Sequence, residues 1–332
     1  MSAERRLLLL AVGTAAVVVV MPFIGIEALP LSVIRDPGGS SVASVIFWQI
    51  RVPRVVVAVL AGGGLAIAGA AFQALFRNPL ATPYTLGVAS GAAFGVALAT
   101  RLGAAVAFLG MATDSLAALA GALVAVSVVW LLTRVRPATS SMVLLLAGVA
   151  MSFFFSSLIL LLQYTASLGD SYQIVRWLMG GLAGVGAREV FHLLPFVALG
   201  IAVLAWRARE LDLLSIGADL AASRGVDVGH QRTVIFLATS GMVGGVVAAC
   251  GPIGFVGMMS PHICRLLLGA EHRHLLPASC LFGGVFLAAC DTVARLVLAP
   301  AELPVGVITA FLGGPFFLWL LLRRVVARDV AG

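Results

Sequence analysis

The sequence predicts an all-α, polytopic membrane protein with about ten transmembrane helices, and three observations carry that reading. Of its 332 residues, 61% are hydrophobic and 11% charged, against about 25% charged in an average soluble domain. Mean hydropathy is +1.11, which leaves too few polar side chains to cover a surface facing water. The apolar residues also fall in runs of about 20, the length that spans a hydrocarbon core.

The first run, Leu7 to Ile26, follows Glu4-Arg5-Arg6 and continues into Glu27-Ala28-Leu29-Pro30. It is longer than a signal-peptide core and lacks its small-residue cleavage site, so it reads as a retained first helix. Residues 30–49 are mixed, with Asp36-Pro37-Gly38-Gly39-Ser40-Ser41 as their turn-forming centre. Further spans are expected near 52–73, 85–102, 114–133, 141–163, 190–206, 233–251, 253–268, 276–295 and 305–322. Gly251-Pro252 and Ser260-Pro261 interrupt the stretch 233–268, which leaves a single kinked helix plus a re-entrant piece open. With the N-terminus in the cytoplasm, the arginines divide about two to one in favour of the inside. Arg323-Arg324 then close the last span there, and both termini are cytoplasmic. Residues 1–332 read as one transmembrane domain.

Small residues recur within the spans. Gly62-Gly63-Gly64, Gly69 and the series Gly87, Gly91, Gly95 form seams that allow close helix approach, as in a compact bundle. One cytoplasmic segment, Ala208 to Arg232, is long and polar enough to dock a partner. Within it Asp212 to Arg224 reads as a short amphipathic helix, with Gly225 as its stop (about 212–225 in all). Its mixed-sign polar face fits a membrane-surface helix poorly.

Composition excludes several functions. All 21 basic residues are arginine, so there is no Walker A lysine and no Schiff-base lysine. The arginines stand singly or in pairs between apolar runs, unlike a stripe tracking nucleic acid. Cys250, Cys264, Cys280 and Cys290 lack CxxC spacing and read as packing residues, with no metal or redox role. An ion-coupled carrier would need acids at mid-membrane, and Asp114 and Asp291 lie near span ends. Glu271-His272-Arg273-His274 has the wrong spacing for a metalloprotease, and His272 and His274 read as solvated. No catalytic residue is expected.

Three stretches go beyond composition. The first is Arg51-Val52-Pro53-Arg54, then Gly62 to Gln73, then Arg77-Asn78-Pro79-Leu80-Ala81-Thr82-Pro83 and Leu86-Gly87. The second is Gly251-Pro252-Ile253-Gly254-Phe255-Val256-Gly257 with Pro261-His262-Ile263-Cys264-Arg265. The third is Asp291-Thr292-Val293-Ala294-Arg295, with Glu302-Leu303-Pro304-Val305-Gly306 and Gly313-Gly314-Pro315. In this order they resemble the FecCD-type permeases, membrane subunits of ATP-binding-cassette (ABC) importers for iron-siderophores, haem and cobalamin. The resemblance implies a cobalamin-permease-like bundle in the cell inner membrane, with a weak inverted repeat relating spans two to five with seven to ten. It also implies three partners: a second copy of the chain, a cytoplasmic ABC ATPase dimer that uses ATP and Mg, and a periplasmic or lipid-anchored substrate-binding protein. No cofactor is expected in this chain.

Residue by residue, the resemblance assigns binding-protein docking to Arg51, Arg54 and Arg295, whose planar guanidinium suits carboxylates. Arg295 can alternatively pair with Asp291 four residues earlier. ATPase coupling falls to Leu214, Ile216, Gly217, Ala221, Arg224 and Gly225, with Ile216, Gly217 and Ala221 entering the ATPase groove. Gln73, Asn78, Pro79, Pro261, His262 and Arg265 belong to family motifs and read as structural; His262 as a haem ligand is the alternative. The path is expected along Met142 to Tyr164 and part of the tenth span. Ferric siderophore is the first choice of cargo, with cobalamin and haem open.

Overall fold

The computed structural model describes residues 3–39, 41–82, 84, 87–104, 108, 111–135 and 141–329. The motif residues Pro83 and Leu86, and Arg136, lie outside them, as do the side chains of Arg134, Met142, Arg323, Arg324 and Arg328. Among the described residues the chain is helical, without a β-strand. The helices are α1 (Ala3–Val20), α2 (Val42–Val45), α3 (Val52–Phe76), α4 (Val88–Arg101), α5 (Thr113–Val135), α6 (Ser141–Tyr164) and α7 (Leu168–Leu178). They continue with α8 (Ala187–Trp206), α9 (Ala208–Ile216), α10 (Ala218–Ser223), α11 (Val228–Cys250), α12 (Val256–Leu268), α13 (His272–Leu296) and α14 (Val305–Asp329). Seven are long and apolar enough to cross a membrane, and α4, α12 and α14 supply shorter apolar helices, which accounts for the ten expected spans.

Local chemistry explains the boundaries. Pro22 ends α1 at Val20 in a 3-10 turn, Met21–Phe23, so the first helix stops short of the expected Ile26. Pro53 has no amide hydrogen and its ring crowds the carbonyl four residues back; the chain answers with a wider π-helical turn, Ile46–Arg51. That turn joins α2 to α3, so the second span begins ten residues before the expected start. The stretch 233–268 is two helices, α11 and α12, separated by Gly251–Phe255. One helix escaped the sequence reading: α7 is capped by Ser167, whose hydroxyl accepts from the Asp170 amide. The expected single helix over 212–225 is a pair, because the chain is fully extended at Gly217 (φ 167°). The first member starts earlier, at Ala208, and the second ends before Gly225, which stops it at φ +81°.

The central helix is α3, apolar on every side and buried without interruption from Ala61 to Phe76. Glycine lets its neighbours reach its backbone. A Cβ on Gly62 would overlap the Gly283 carbonyl of α13, and one on Gly69 would overlap Gly257 of α12. The Gly91 and Gly95 seam works the same way against Gly121 and Ala117 of α5.

Packing also reveals the inverted repeat. α3 packs on α12 and α13, and α11 packs on α4 and α5; α4 meets α5 and α6, as α12 meets α13 and α14. Exchanging α3–α6 for α11–α14 therefore maps each contact onto another, and α3 and α11 run in opposite directions. At about 1.5 Å per residue, α4 and α12 reach only about 20 Å, short of the roughly 30 Å hydrocarbon core. The described residues of the loops before them meet where the Ile253 amide donates to the Tyr84 hydroxyl at 2.8 Å.

Gly62→Val should lower stability by about 2 kcal/mol or more, because backbone cannot retreat as a side chain can. Gly13→Ala meets nothing within 4 Å and should change it by less than about 0.5 kcal/mol. Thermal unfolding of the detergent-solubilised variants measures both.

Candidate functional site

At one end of the bundle, three buried arginines gather where α3 starts and α13 finishes. Arg51, Arg54 and Arg295 are only 7%, 7% and 8% exposed. A buried guanidinium must be paired and hydrogen-bonded, and each solves this differently. Arg54 donates from Nε and Nη2 to Asp291 at 2.9–3.2 Å, and from Nη1 to both Glu302 oxygens at 2.9 and 3.1 Å. Arg295 places Nε 3.3 Å from Asp291 Oδ2, ion-pair distance without hydrogen-bond geometry, and donates to Thr292 Oγ1 and the Ile24 carbonyl. Arg51 donates to the carbonyls of Pro22, Phe23 and Glu27, tying off the end of α1. The three are thus brought together, and Arg295 does pair with Asp291. Glu302 as a second carboxylate for Arg54 lies 248 residues away in sequence, and no local pattern signals it.

The family-motif residues join the two halves. The Gln73 amide points at the Gly257 and Met258 carbonyls, 3.5 Å away, while its oxygen accepts from Arg265. This cross-link holds α3 to α12. Asn78 accepts from the Leu80 amide at 3.0 Å in an Asx turn and donates its own amide to the Gln73 carbonyl. Arg77 before it adopts the left-handed conformation at φ 50°, completing the helix cap in a place that favours glycine. Pro261 is buried inside α12, and His262 stands edge-on to Phe316 with ring centroids 5.9 Å apart. Ahead of α12, Phe255 also takes a left-handed φ of 67°, and its ring fills the space a side chain at Gly313 would need. Holding a bulky residue there costs about 1–2 kcal/mol, so packing against α14 fixes this loop.

At the opposite end, α9 and α10 form a short helix pair. Leu211, Leu214 and Ala221 turn inward and are at most 3% exposed, so Leu214 and Ala221 seat the pair in the bundle. Ile216 and Leu220 face outward at 59% and 40% exposure, with Arg224 and Gly225 exposed beyond them and Gly217 half-buried. Of the residues expected to enter the ATPase groove, Ile216 faces outward, Gly217 is half-buried and Ala221 is wholly buried, while Leu220 beside it is exposed.

His272 is not solvated. It is 3% exposed, its Nδ1 lies 2.6 Å from Asp212 Oδ1, and its amide donates to the same oxygen at 2.9 Å. The Asp212 carboxyl is partly desolvated, which favours its neutral form, yet the bonds from His272 outweigh that and hold it below its ordinary value. His274 pairs with Glu271 at 3.2 Å. Along the expected path, α6 exposes Val143, Leu146, Phe153, Leu160 and Tyr164, and α14 exposes Val307, Phe311 and Leu318. Among the described residues no group of three or more His, Cys, Asp and Glu side chains is placed to hold a metal ion.

Asp291→Ala leaves Arg295 without its carboxylate and Arg54 with Glu302 alone, and should cost about 3–5 kcal/mol. Glu302→Ala removes a carboxylate that is 38% exposed and should cost no more than about 1 kcal/mol. Denaturation of the two variants side by side tests the ranking. Because folding lowers the Asp212 pKa, that pair stabilises above the ordinary carboxylate value of 3.8 and is lost as pH falls through the lowered one. Asp212→Asn should therefore flatten the melting-temperature profile on the acid side, below about pH 4.

Known proteins share this architecture. The FecCD transport family model matches residues 8–323. The uncharacterized ABC transporter permease protein YvrB of Bacillus subtilis (strain 168) is 43% identical over 281 residues, 84% of this chain and 79% of that protein. The vitamin B12 import system permease protein BtuC of Escherichia coli O139:H28 (strain E24377A / ETEC) is 43% identical over 279 residues, 83% of each. A solved structure described as an inward-facing, metal-chelate type ABC transporter superposes with a TM-score of 0.86 at 31% identity, covering 96% of this chain and 99% of that one. With a match running through nearly every span, the chain belongs to the FecCD transport family and is a membrane-spanning ABC importer permease.

Proposed function

We propose that this permease works as a homodimer that passes a ferric siderophore from an external binding protein, powered by a separate ABC ATPase dimer. The observation that carries the coupling is the α9–α10 pair, which sits at the end opposite the arginine cluster and presents Ile216 and Leu220 to the outside. Apolar side chains on a short exposed helix fit a groove on a partner. Gly217, Arg224 and Gly225 complete that face, and Leu214 and Ala221 anchor it from beneath. ATP and Mg belong to the ATPase; this chain carries no cofactor.

The orientation follows from charge. The α9–α10 end is cytoplasmic, with both termini beside it in an inner-membrane protein, and the arginine cluster faces outward. Three arginines there face the carboxylates of Asp291, Glu302 and Glu27, so docking of an acidic binding protein would rest on the guanidinium groups themselves and not on a net charge. Arg54 is saturated by Asp291 and Glu302, so its charge acts through the field, while Arg51 and Arg295 have no full carboxylate of their own. The exposed apolar faces of α6 and α14 line the path along the dimer axis, a smooth wall that passes a bulky chelate.

The metal-chelate type structural neighbour supports the siderophore reading. Identity of 43% to a vitamin B12 permease favours cobalamin as the second.

Mild cross-linking in native-host membranes, tag purification and mass spectrometry should recover an ATPase and a binding protein. The absorbance of the ligand on that binding protein separates siderophore from corrinoid and haem. Recovery of the chain alone, where a control ABC complex survives, would sink the reading. Ile216→Asp and Gly217→Trp should each abolish ATPase recovery and uptake while leaving the melting temperature unchanged, since Gly217 has open space around it. Normal uptake in both removes α9–α10 from coupling. Affinity for the binding protein should drop about tenfold between low and high salt; a salt-independent affinity contradicts docking by charge.

A further inference from the structure

The contact between α9 and α13 is polar at one point and loose beside it. Asp212 of α9 accepts twice on a single oxygen, from the His272 amide at 2.9 Å and from the His272 ring at 2.6 Å. A carboxylate has no proton to give, so the ring donates from Nδ1. His272 is the first residue of α13, and Glu271 before it makes no side-chain cap. Asp212 therefore caps α13 from another helix, supplying the acceptor that an N-cap side chain ordinarily provides.

Two further features leave the first turn of α13 dependent on that cap. Pro277, inside α13, lacks the amide that would bond to the Arg273 carbonyl, so the turn is joined to the rest of the helix by one bond fewer. Beside it lies a cavity of about 440 Å³, whose walls include Ala205 of α8, Ala208 of α9, and His272, Leu276 and Pro277 of α13. Close packing does not hold the turn on that side.

We propose that Asp212 is the joint between the coupling pair and α13, a positioning residue whose cap on His272 converts a shift of α9 into a shift of the first turn of α13. This rests on the reading of α9–α10 as the ATPase-docking pair. Ile216 follows Asp212 by four residues, so both stand on one flank of α9, and a push received at Ile216 falls one turn from the joint. Leu211 and Leu214 seat α9 by apolar contact, which has no direction. Two hydrogen bonds to one oxygen do have direction, and they fix where α13 must start. The far end of α13 lies about 30 Å along the helix. There Asp291 and Arg295 meet Arg54 and the chain after α1.

The permease–ATPase complex in liposomes tests this, through MgATP hydrolysis with and without the purified binding protein. The readout is the stimulation ratio within each variant, because a chain that is merely less stable loses hydrolysis in both conditions and keeps the ratio. In Asp212→Ala the ATPase should still co-purify while stimulation disappears. In Asp212→Asn, whose carboxamide oxygen can accept the same two bonds, stimulation should return to the parent level. Hydrogen exchange reads the cap itself: the first turn of α13 should exchange about fivefold faster in Asp212→Ala and at the parent rate in Asp212→Asn. Stimulation should thus follow protection of that turn across the three proteins. A variant that loses one and keeps the other overturns the proposal, as does an Asp212→Ala chain that keeps both. Loss of ATPase recovery in Asp212→Ala overturns it too, by making Asp212 part of the docking face. If the parent recruits no ATPase, the docking reading fails and the joint falls with it. If the parent recruits it and Ile216→Asp does not, docking stands and the Asp212 variants decide the joint alone.

Discussion

One carboxylate, Asp291, holds the arginine-bearing end of this fold together. It lies 2% exposed between two arginines from different positions, Arg54 at the start of α3 and Arg295 one turn further along α13. Three charges in so apolar a setting are tolerable only as a set, since desolvating each alone costs several kcal/mol. Through Arg54 the set reaches Glu302 ahead of α14, and through Arg295 it reaches the Ile24 carbonyl after α1. Arg51 completes the enclosure by taking up the neighbouring carbonyls. Four helices are thereby fixed relative to one another at the end where backbone contact between α3 and α13, at Gly62 and Gly283, does the same further down.

The two short helices create a second demand. Irregular backbone at membrane depth survives only when protein surrounds it, and described residues of the loops before α4 and α12 bond to one another and to their neighbours. Tyr84 takes the Ile253 amide, and Gly181 donates to the Cys250 carbonyl at 2.8 Å. The Gly306 amide donates to the Gly180 carbonyl at 3.2 Å. These last contacts need glycine: a Cβ on Gly180 or Gly306 would strike the Pro252 or Met179 carbonyl. The glycine-rich motifs of the sequence are thus places where backbones touch, and their polar companions Gln73 and Arg265 bind the two repeats across the seam.

What the sequence disclosed follows the range of the forces involved. Apolar runs and Gly225 act on their own neighbourhood, so the ten spans could be read directly; Pro22 is just as local but went unread, and the first helix was carried past it to Ile26. The motif order resembled a family closely enough to give the architecture. Contacts distant in sequence left no such trace. Arg54 with Glu302, and Asp212 with His272 across 60 residues, depend on how helices are placed, and a charged loop of four ionisable residues looked solvated when one of them was buried. The inward turn of Leu214 and Ala221 was hidden for a related reason, since a short amphipathic helix does not announce which of its faces the protein keeps. α7 was missed because eleven residues of mixed polarity lie below the length at which hydropathy speaks, although Ser167 and Asp170 carried a cap signal.

The two ends of the molecule are built to opposite specifications, and that contrast bears on how work could pass between them. α9 packs directly on α3 and α13, the same helices that Asp291 and the glycine contacts lock together. On the proposed coupling, a displacement at α9 would reach a unit whose internal contacts are charge pairs and backbone surfaces with little room to shear. α6 and α14 are held differently. α6 rests on α4, α5 and α7, and α14 on α12 and α13, and both leave long rows of apolar side chains uncovered. A transporter needs a rigid element to carry force and a loosely held one to open and close. Here the rigid element is the α3–α13 core, and the loosely held helices are those whose exposed faces line the proposed path.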